Sequence, residues 1–302
     1  MKVVFLFLDG VGLGQEDPDV NPFFRAKLPV FRSLLNGEMM SLRNYSHNGE
    51  ICRLLPLDAC LGVKGLPQSG TGQASIFTGI NAAALLGKHF GPHPTVELRE
   101  LLQQKNLIRS LREKGFNTLF VNAFPGLFFN YARKNPNRLS VTTIMHLQMG
   151  ISLQDADALR RSEALSADLT RDRWVELGYP DITPIPVAET GRHLASLTEK
   201  LDFLLLDYWL PDHAGHARNM EEAIAVLEKL DSFLGVFLGQ VDLTSTLVII
   251  SSDHGNIEDL SVKTHTLNPV PCMLVGKKGA FLADGMTSIC ELSPLIERAM
   301  IL

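Results

Sequence analysis

The chain has 302 residues, of which 45% are hydrophobic and 20% charged. That is the composition of a globular protein and excludes a disordered one. Its 28 Lys+Arg against 33 Asp+Glu leave a formal net charge of −5, which argues against a duplex nucleic acid held through its phosphates. A small phosphorylated partner stays open, because a bound metal supplies positive charge locally.

Residues 3–8 form a short continuous apolar run that ends in Asp9-Gly10-Val11-Gly12. This reads as a buried parallel strand followed by a glycine-rich turn. The run is too short for a signal sequence or a membrane span, and Asp9 interrupts it. The cysteines, Cys52, Cys60, Cys272 and Cys290, form no CxxC pair, so reduced thiols in a cytoplasmic protein without a membrane partner are expected.

Residues 96–114 follow the helical period with Leu98, Leu101, Leu102, Ile108 and Leu111. Residues 116–121 are a weaker strand candidate. Residues 124–188 are less regular, rich in Pro, Asn and Gly, with an acidic helical stretch at 153–165. They read as a small cap or an elaborated loop. Residues 203–206 and 247–250 repeat the form of the first strand, each running into polar residues: Asp207 and Pro211-Asp212 in one case, Ser251-Ser252-Asp253-His254-Gly255 in the other. Between them, residues 220–238 are again amphipathic at the helical period. Strands alternating with helices predict an α/β fold, a three-layer αβα sandwich around a mostly parallel sheet, in one catalytic domain over 1–302. Ligands in such folds collect at the carboxyl ends of the strands.

Polar clusters fall at those ends. They are Asp9; Gln68-Ser69-Gly70-Thr71-Gly72-Gln73; Asp212-His213-Ala214-Gly215-His216; and Asp253-His254-Gly255-Asn256 with His265 beyond it. Taken singly, each residue reads as a turn former, a cap or a surface residue. Together they supply carboxylates and imidazoles without thiolates, a donor set suited to Zn²⁺ or Mn²⁺. Asp212 and His216, four apart at a helix start, share one face. Six Asp and His residues exceed the needs of one four-coordinate ion and suit two, with a hydroxyl completing one shell. Ser69 is the candidate hydroxyl, with Thr71 and Ser75 as rivals. A serine activated by metal is a nucleophile for displacement at phosphorus or sulfur. His47, His89, His93, His146 and His193 lack such context and read as structural; His213 is a candidate substrate contact.

These motifs resemble those of the alkaline phosphatase superfamily, and within it most closely cofactor-independent phosphoglycerate mutase. The matching segments are Leu8-Asp9-Gly10, Gln68 to Gln73, Asp212 to His216, Asp253-His254-Gly255-Asn256 and His265-Thr266-Leu267-Asn268-Pro269-Val270-Pro271. The resemblance covers both ends of the chain but not residues 87–200. It selects Ser69 as nucleophile, which also lies nine positions before Thr78-Gly79, as the nucleophile does in sulfatases and nucleotide pyrophosphatases.

The resemblance implies an alkaline phosphatase-like fold and two divalent ions, Zn²⁺ or Mn²⁺. One would bind Asp9, Ser69, Asp253 and His254, the other Asp212, His216 and His265. A small phosphorylated substrate would bridge them and pass its phosphoryl group to Ser69. The chain departs from the pattern in having Gln73 where the family has histidine, and in leaving only about 60 residues for a cap. A mutase must hold its dephosphorylated intermediate away from water, so the small cap favours a phosphomonoesterase or phosphodiesterase. The alternatives are a phosphomutase acting on phosphoglycerate or a sugar phosphate and, in another class, a non-catalytic metal-binding module. The sulfatase pattern around the nucleophile is absent, because Gly70-Thr71-Gly72-Gln73 follows Ser69.

Overall fold

The side chains of the first strand alternate between two buried clusters. Val3, Phe5 and Phe7 belong to one, and Val4, Leu6 and Leu8 to the other. A strand covered on both faces belongs in the middle of a sheet, and β1 (Lys2–Leu8) lies there. The computed structural model describes residues 1–302 except for the side chain at position 280. Its other strands are β2 (His47–Asn48), β3 (Cys52–Leu57), β4 (Thr118–Phe120), β5 (Phe203–Tyr208), β6 (Thr246–Ser251) and β7 (Val270–Val275). They form one sheet in the order β2-β3-β7-β6-β1-β5-β4.

β4, β5, β1 and β6 are parallel neighbours. β7 pairs antiparallel with β6, β3 with β7, and β2 with β3. Only β7 and β2 therefore oppose the common direction, but half of the pairings are antiparallel and the sheet is mixed. The sequence reading lacked β3 and β7. Each carries a proline, and Pro56 stands opposite Pro271 in the register. A proline cannot donate to the ladder, so it hides a strand from pattern reading.

The helices in chain order are α1 (Pro29–Leu34), α2 (Ser69–Thr78), α3 (Ala82–Leu86), α4 (Val96–Gln104), α5 (Leu107–Glu113), α6 (Gly126–Lys134), α7 (Val141–Gln148), α8 (Ala156–Arg160), α9 (Val187–Lys200), α10 (Leu210–Ala217), α11 (Met220–Leu238) and α12 (Leu292–Ile301). α2, α4, α5, α7 and α12 supply the cluster on the Phe5 face, where Phe5, Phe7 and Phe77 meet with ring centroids 6.0 to 6.2 Å apart. α1, α9 and α11 supply the other face. The Asp231 carboxylate of α11 accepts from Val30 N at 3.1 Å and Phe31 N at 2.9 Å, satisfying the free amides at the start of α1.

Three expectations change. The helix over 96–114 is two helices, because Asn106 starts α5 by accepting from Arg109 N at 2.8 Å. The acidic stretch at 153–165 yields only the five residues of α8, capped by Asp155. Residues 124–188 are divided. α7 enters the main core with Val141, Ile144 and Met145, whereas Leu159, Trp174 and Ile182 form a small cluster of their own and no residue of α6 is buried. No helix among the described residues is long and apolar enough to cross a membrane.

His146 on α7 is a buried structural histidine. Its ring stacks on Phe120 at 5.0 Å, and its Nδ1 lies 2.7 Å from the Thr142 carbonyl. Burial lowers its pKa from 6.5 to about 4. Between these values the unfolded chain takes up a proton that the folded protein refuses. Stability is therefore complete above the upper value and falls as pH drops toward the lower one. His146→Phe keeps the ring and removes the titration. The stability of wild type relative to the variant, from urea unfolding, should fall by roughly 3 kcal/mol between these pH limits.

Candidate metal centre

The parallel strands end side by side and deliver their following residues to one place. Asp9 follows β1, Asp253 and His254 follow β6, and α10 begins just beyond β5 with Asp212 and His216 on one face. Ser69 is the first residue of α2, and His265 precedes β7. Two glycines permit the approach. Gly10 has φ +73°, and a Cβ there would stand 2.7 Å from Asp212; a Cβ on Gly72 would stand 2.8 Å from the Asp253 carbonyl.

All seven ligand candidates converge. Ser69 Oγ is 3.0 Å from His254 Nε2, which is 3.4 Å from Asp9 Oδ1 and 3.6 Å from Asp253 Oδ2. His216 Nε2 is 3.4 Å from Asp212 Oδ2 and 3.3 Å from His265 Nε2, and His265 Nε2 is 3.6 Å from Asp212 Oδ1. Two groups have their donor atoms all within 4.8 Å of one another: Asp212, His216 and His265, and Asp9, Asp212 and His254. Asp212 thus stands between the groups. The rings of His254 and His265 stack at 3.7 Å.

The surroundings aim these donors. His265 Nδ1 lies 2.7 Å from the Pro67 carbonyl and His216 Nδ1 lies 3.1 Å from the Lys263 carbonyl. An Nδ1–H donated to each carbonyl leaves both Nε2 lone pairs facing the cluster. Asn256 Nδ2 donates to Asp212 Oδ1 at 2.6 Å. Gln73 Nε2, at the position of the family's histidine, donates to Asp253 Oδ2 at 3.2 Å and Asp9 Oδ2 at 3.4 Å. The rival hydroxyls are engaged elsewhere: Thr71 Oγ1 donates to the Gln68 carbonyl and Ser75 Oγ to the Thr71 carbonyl. His213 is largely exposed, 3.5 Å from Glu222.

Sequence reading missed Glu258 altogether and noted Asp207 only as a polar residue at a strand end. Glu258 is buried and accepts from Gly12 N at 2.9 Å, Asn256 N at 2.7 Å, Asn268 Nδ2 at 3.1 Å and the Thr266 hydroxyl. It ties together the loops that carry Asp9, His254 and His265. Asp207, at the end of β5, is buried and accepts from Thr142 Oγ1 at 2.8 Å through one oxygen, while the other has no partner among the described residues.

The electrostatics are those of a site built for cations. Burial, then Asp253, Asp212 and Asp207, push the Asp9 carboxyl well above its usual range. Burial, then Asp212, push Asp253 up as well, and burial pushes Asp207 to about 6. Burial and the neighbouring His265 hold His254 neutral, the form that ligates. Asp9 Oδ1 and Asp253 Oδ1 are buried with no hydrogen-bond partner among the described residues. Orphaned carboxylate oxygens beside imidazole nitrogens fit divalent cations in chemistry.

A mixed sheet covered by helices on both sides carries this ligand cluster at its strand ends, an arrangement similar to that of alkaline phosphatase-like metalloenzymes. In its motifs the chain is close to cofactor-independent phosphoglycerate mutase. Residues 187–296 match the Metalloenzyme superfamily, a stretch that holds five of the seven ligand candidates but neither Asp9 nor Ser69. The chain is similar to 2,3-bisphosphoglycerate-independent phosphoglycerate mutases. It is 33% identical to that of Dinoroseobacter shibae over 40% of this chain and 25% of the relative, and 31% identical to that of Rhodopseudomonas palustris over 43% and 26%. The matches thus span about a quarter of these relatives' length. Among solved structures, the PH0037 protein from Pyrococcus horikoshii shares the fold with a TM-score of 0.60 and 15% identity, covering 99% of this chain and 96% of its own. A cold-active alkaline phosphatase from Shewanella sp. does so with a TM-score of 0.55 and 10% identity, covering 99% and 100%.

Repulsion among the carboxylates has an observable consequence. Asp253→Asn should raise the melting temperature of the metal-free protein by about 2–4 °C for each kcal/mol of repulsion removed. The same change should shrink the additional rise produced by saturating Mn²⁺ or Zn²⁺. Differential scanning calorimetry with and without EDTA reads both effects.

Proposed function

We propose that this protein is a metal-dependent phosphoryl-transfer enzyme in which Ser69 attacks a phosphate ester. The observation that carries this reading is the Ser69 hydroxyl, 3.0 Å from His254 Nε2, at the first turn of α2 and beside the two donor groups. The cations, Zn²⁺ or Mn²⁺, would be held by Asp9, Ser69, Asp253 and His254 on one side and by Asp212, His216 and His265 on the other. When bound they offset the carboxylate charge, screen the phosphoryl oxygens and activate the serine hydroxyl.

The residues of the chain divide the remaining work. Thr71 N already donates to the Phe90 carbonyl at 2.9 Å, so the amides at the start of α2 that can serve the phosphoryl oxygens are those of Ser69 and Gly70. Gln73 fixes the Asp9 and Asp253 carboxylates relative to each other, and Asn256 fixes Asp212. Ser69 Oγ forms the bond to phosphorus as the ester oxygen leaves, giving a phosphoserine.

Two fates of that phosphoserine have support. Cap size alone favours hydrolysis. The names of the sequence relatives support the phosphomutase reading, return of the phosphoryl group to the same organic molecule, more strongly than they support hydrolysis. The phosphomutase is therefore the first reading here, ahead of the hydrolase that cap size favours. Hydrolysis remains the second reading because Gln73 replaces the family's histidine and only α6 and residues 150–186 remain to cover the site.

Ser69→Ala should lower turnover of the best phosphate ester by roughly 10³-fold or more and abolish acid-stable labelling of the protein by [³²P]-substrate. Unchanged turnover would remove Ser69 from the mechanism. With the metal-loaded wild type, isomer formation from phosphoglycerates or sugar phosphates identifies a mutase. Inorganic phosphate without isomer identifies a hydrolase.

A further inference from the structure

A cavity of about 610 Å³ opens beside the ligand cluster, with Asp9, Gln73 and Asp207 among its lining residues. It runs from these residues along the face made by β4, the start of α6 and the small cluster around Trp174. Much of its lining is aromatic or aliphatic: Phe120, Phe124, Phe128, Leu139, Trp174 and Leu177. Phe124 stacks on Phe128 at 4.3 Å and meets Phe120 edge-on at 5.9 Å, so these walls form one continuous aromatic surface. The Trp174 indole N–H is already satisfied by Ser166 Oγ at 2.8 Å, leaving its ring as an apolar wall. The rest of the lining is largely polar, with Asn122, Thr143, Asp168 and Glu222 beside the exposed Arg138 and Arg173.

Phosphoglycerate and sugar phosphates carry oxygen on nearly every carbon. Against the aromatic wall of Phe120, Phe124, Phe128 and Trp174, a hydroxyl or carboxylate group would lose water without gaining a partner. An organic group with ring or alkyl surface gains by the same burial. We propose that the cavity receives the organic group of a phosphate monoester and that this group is apolar, aryl or alkyl, over a ring-sized body. The assignment rests on the reading that the site transfers phosphoryl groups; for a mutase the same molecule must in addition carry a second hydroxyl outside the apolar body. The shared residues, Asp9 and Gln73, make the cavity continuous with the site: a phosphoryl group at Ser69 and an apolar body against Phe124 and Trp174 belong to one molecule.

The test is binding of non-hydrolysable phosphonates to the Mn²⁺-loaded protein by titration calorimetry. 1-Naphthylmethylphosphonate should bind at least about thirtyfold more tightly than methylphosphonate, the gain expected from burying a bicyclic ring. Leu177→Asp, which puts a charge into the wall, should bring the ratio below about threefold. Phe128→Ala, on a helix with no buried residue, should lower it severalfold and serves if Leu177→Asp does not fold. Equal binding of the two phosphonates, or a ratio untouched by both substitutions, overturns the apolar assignment while leaving phosphoryl transfer standing. Failure of both phosphonates to bind overturns both.

Discussion

Like charges buried together are the central constraint on this molecule. Asp9, Asp207, Asp212 and Asp253 lie in one another's field, and burial raises the cost of ionising three of them. A carboxylate out of water needs a counter-charge or a proton. No lysine or arginine reaches the cluster among the described ion pairs: its contacts are with His216, His254 and His265. His254, held neutral by burial, does not balance the carboxylates. A divalent cation shared between carboxylates and imidazoles would balance the charge, and the donor geometry suits such sharing.

The sheet is what forces the charges together. β1 lies between β5 and β6, all three parallel, so the residues that follow them emerge at one edge. Polar neighbours then fix the side chains. Glu258 holds three loops at once, and backbone carbonyls turn His216 and His265 so that one nitrogen of each faces the cluster. These contacts fix the site before any ligand arrives, the arrangement that binding and catalysis exploit.

Much of this was legible in the sequence because central parallel strands are apolar on both faces. The runs at 3–8, 203–206 and 247–250 stand out for that reason, and the polar residues just beyond them are the ones the fold gathers. α11 was legible through its period. β3 and β7 were not, because Pro56 and Pro271 break the pattern that a strand normally shows. Glu258 was invisible, and nothing local marked out Asp207 from other strand-end residues, for a different reason. A carboxylate after Asn256-Ile257, or inside an apolar strand, has no local signature, and its importance comes from partners far away in sequence such as Gly12 and Thr142. The fate of the phosphoryl group depends on shape over the site, which residues 124–188 build from irregular segments that periodicity does not read.

The strand order carries a consequence for biosynthesis. β1 is made first, yet both of its partners lie beyond residue 200, and the last ligand candidate, His265, comes later still. During translation the apolar first strand waits through most of the chain without a neighbour, and the ion-binding cluster does not exist until that wait is over. A nascent chain therefore depends on help or on speed to keep its central strand from pairing wrongly, and any cation the cluster takes up would arrive late, once His265 has been made.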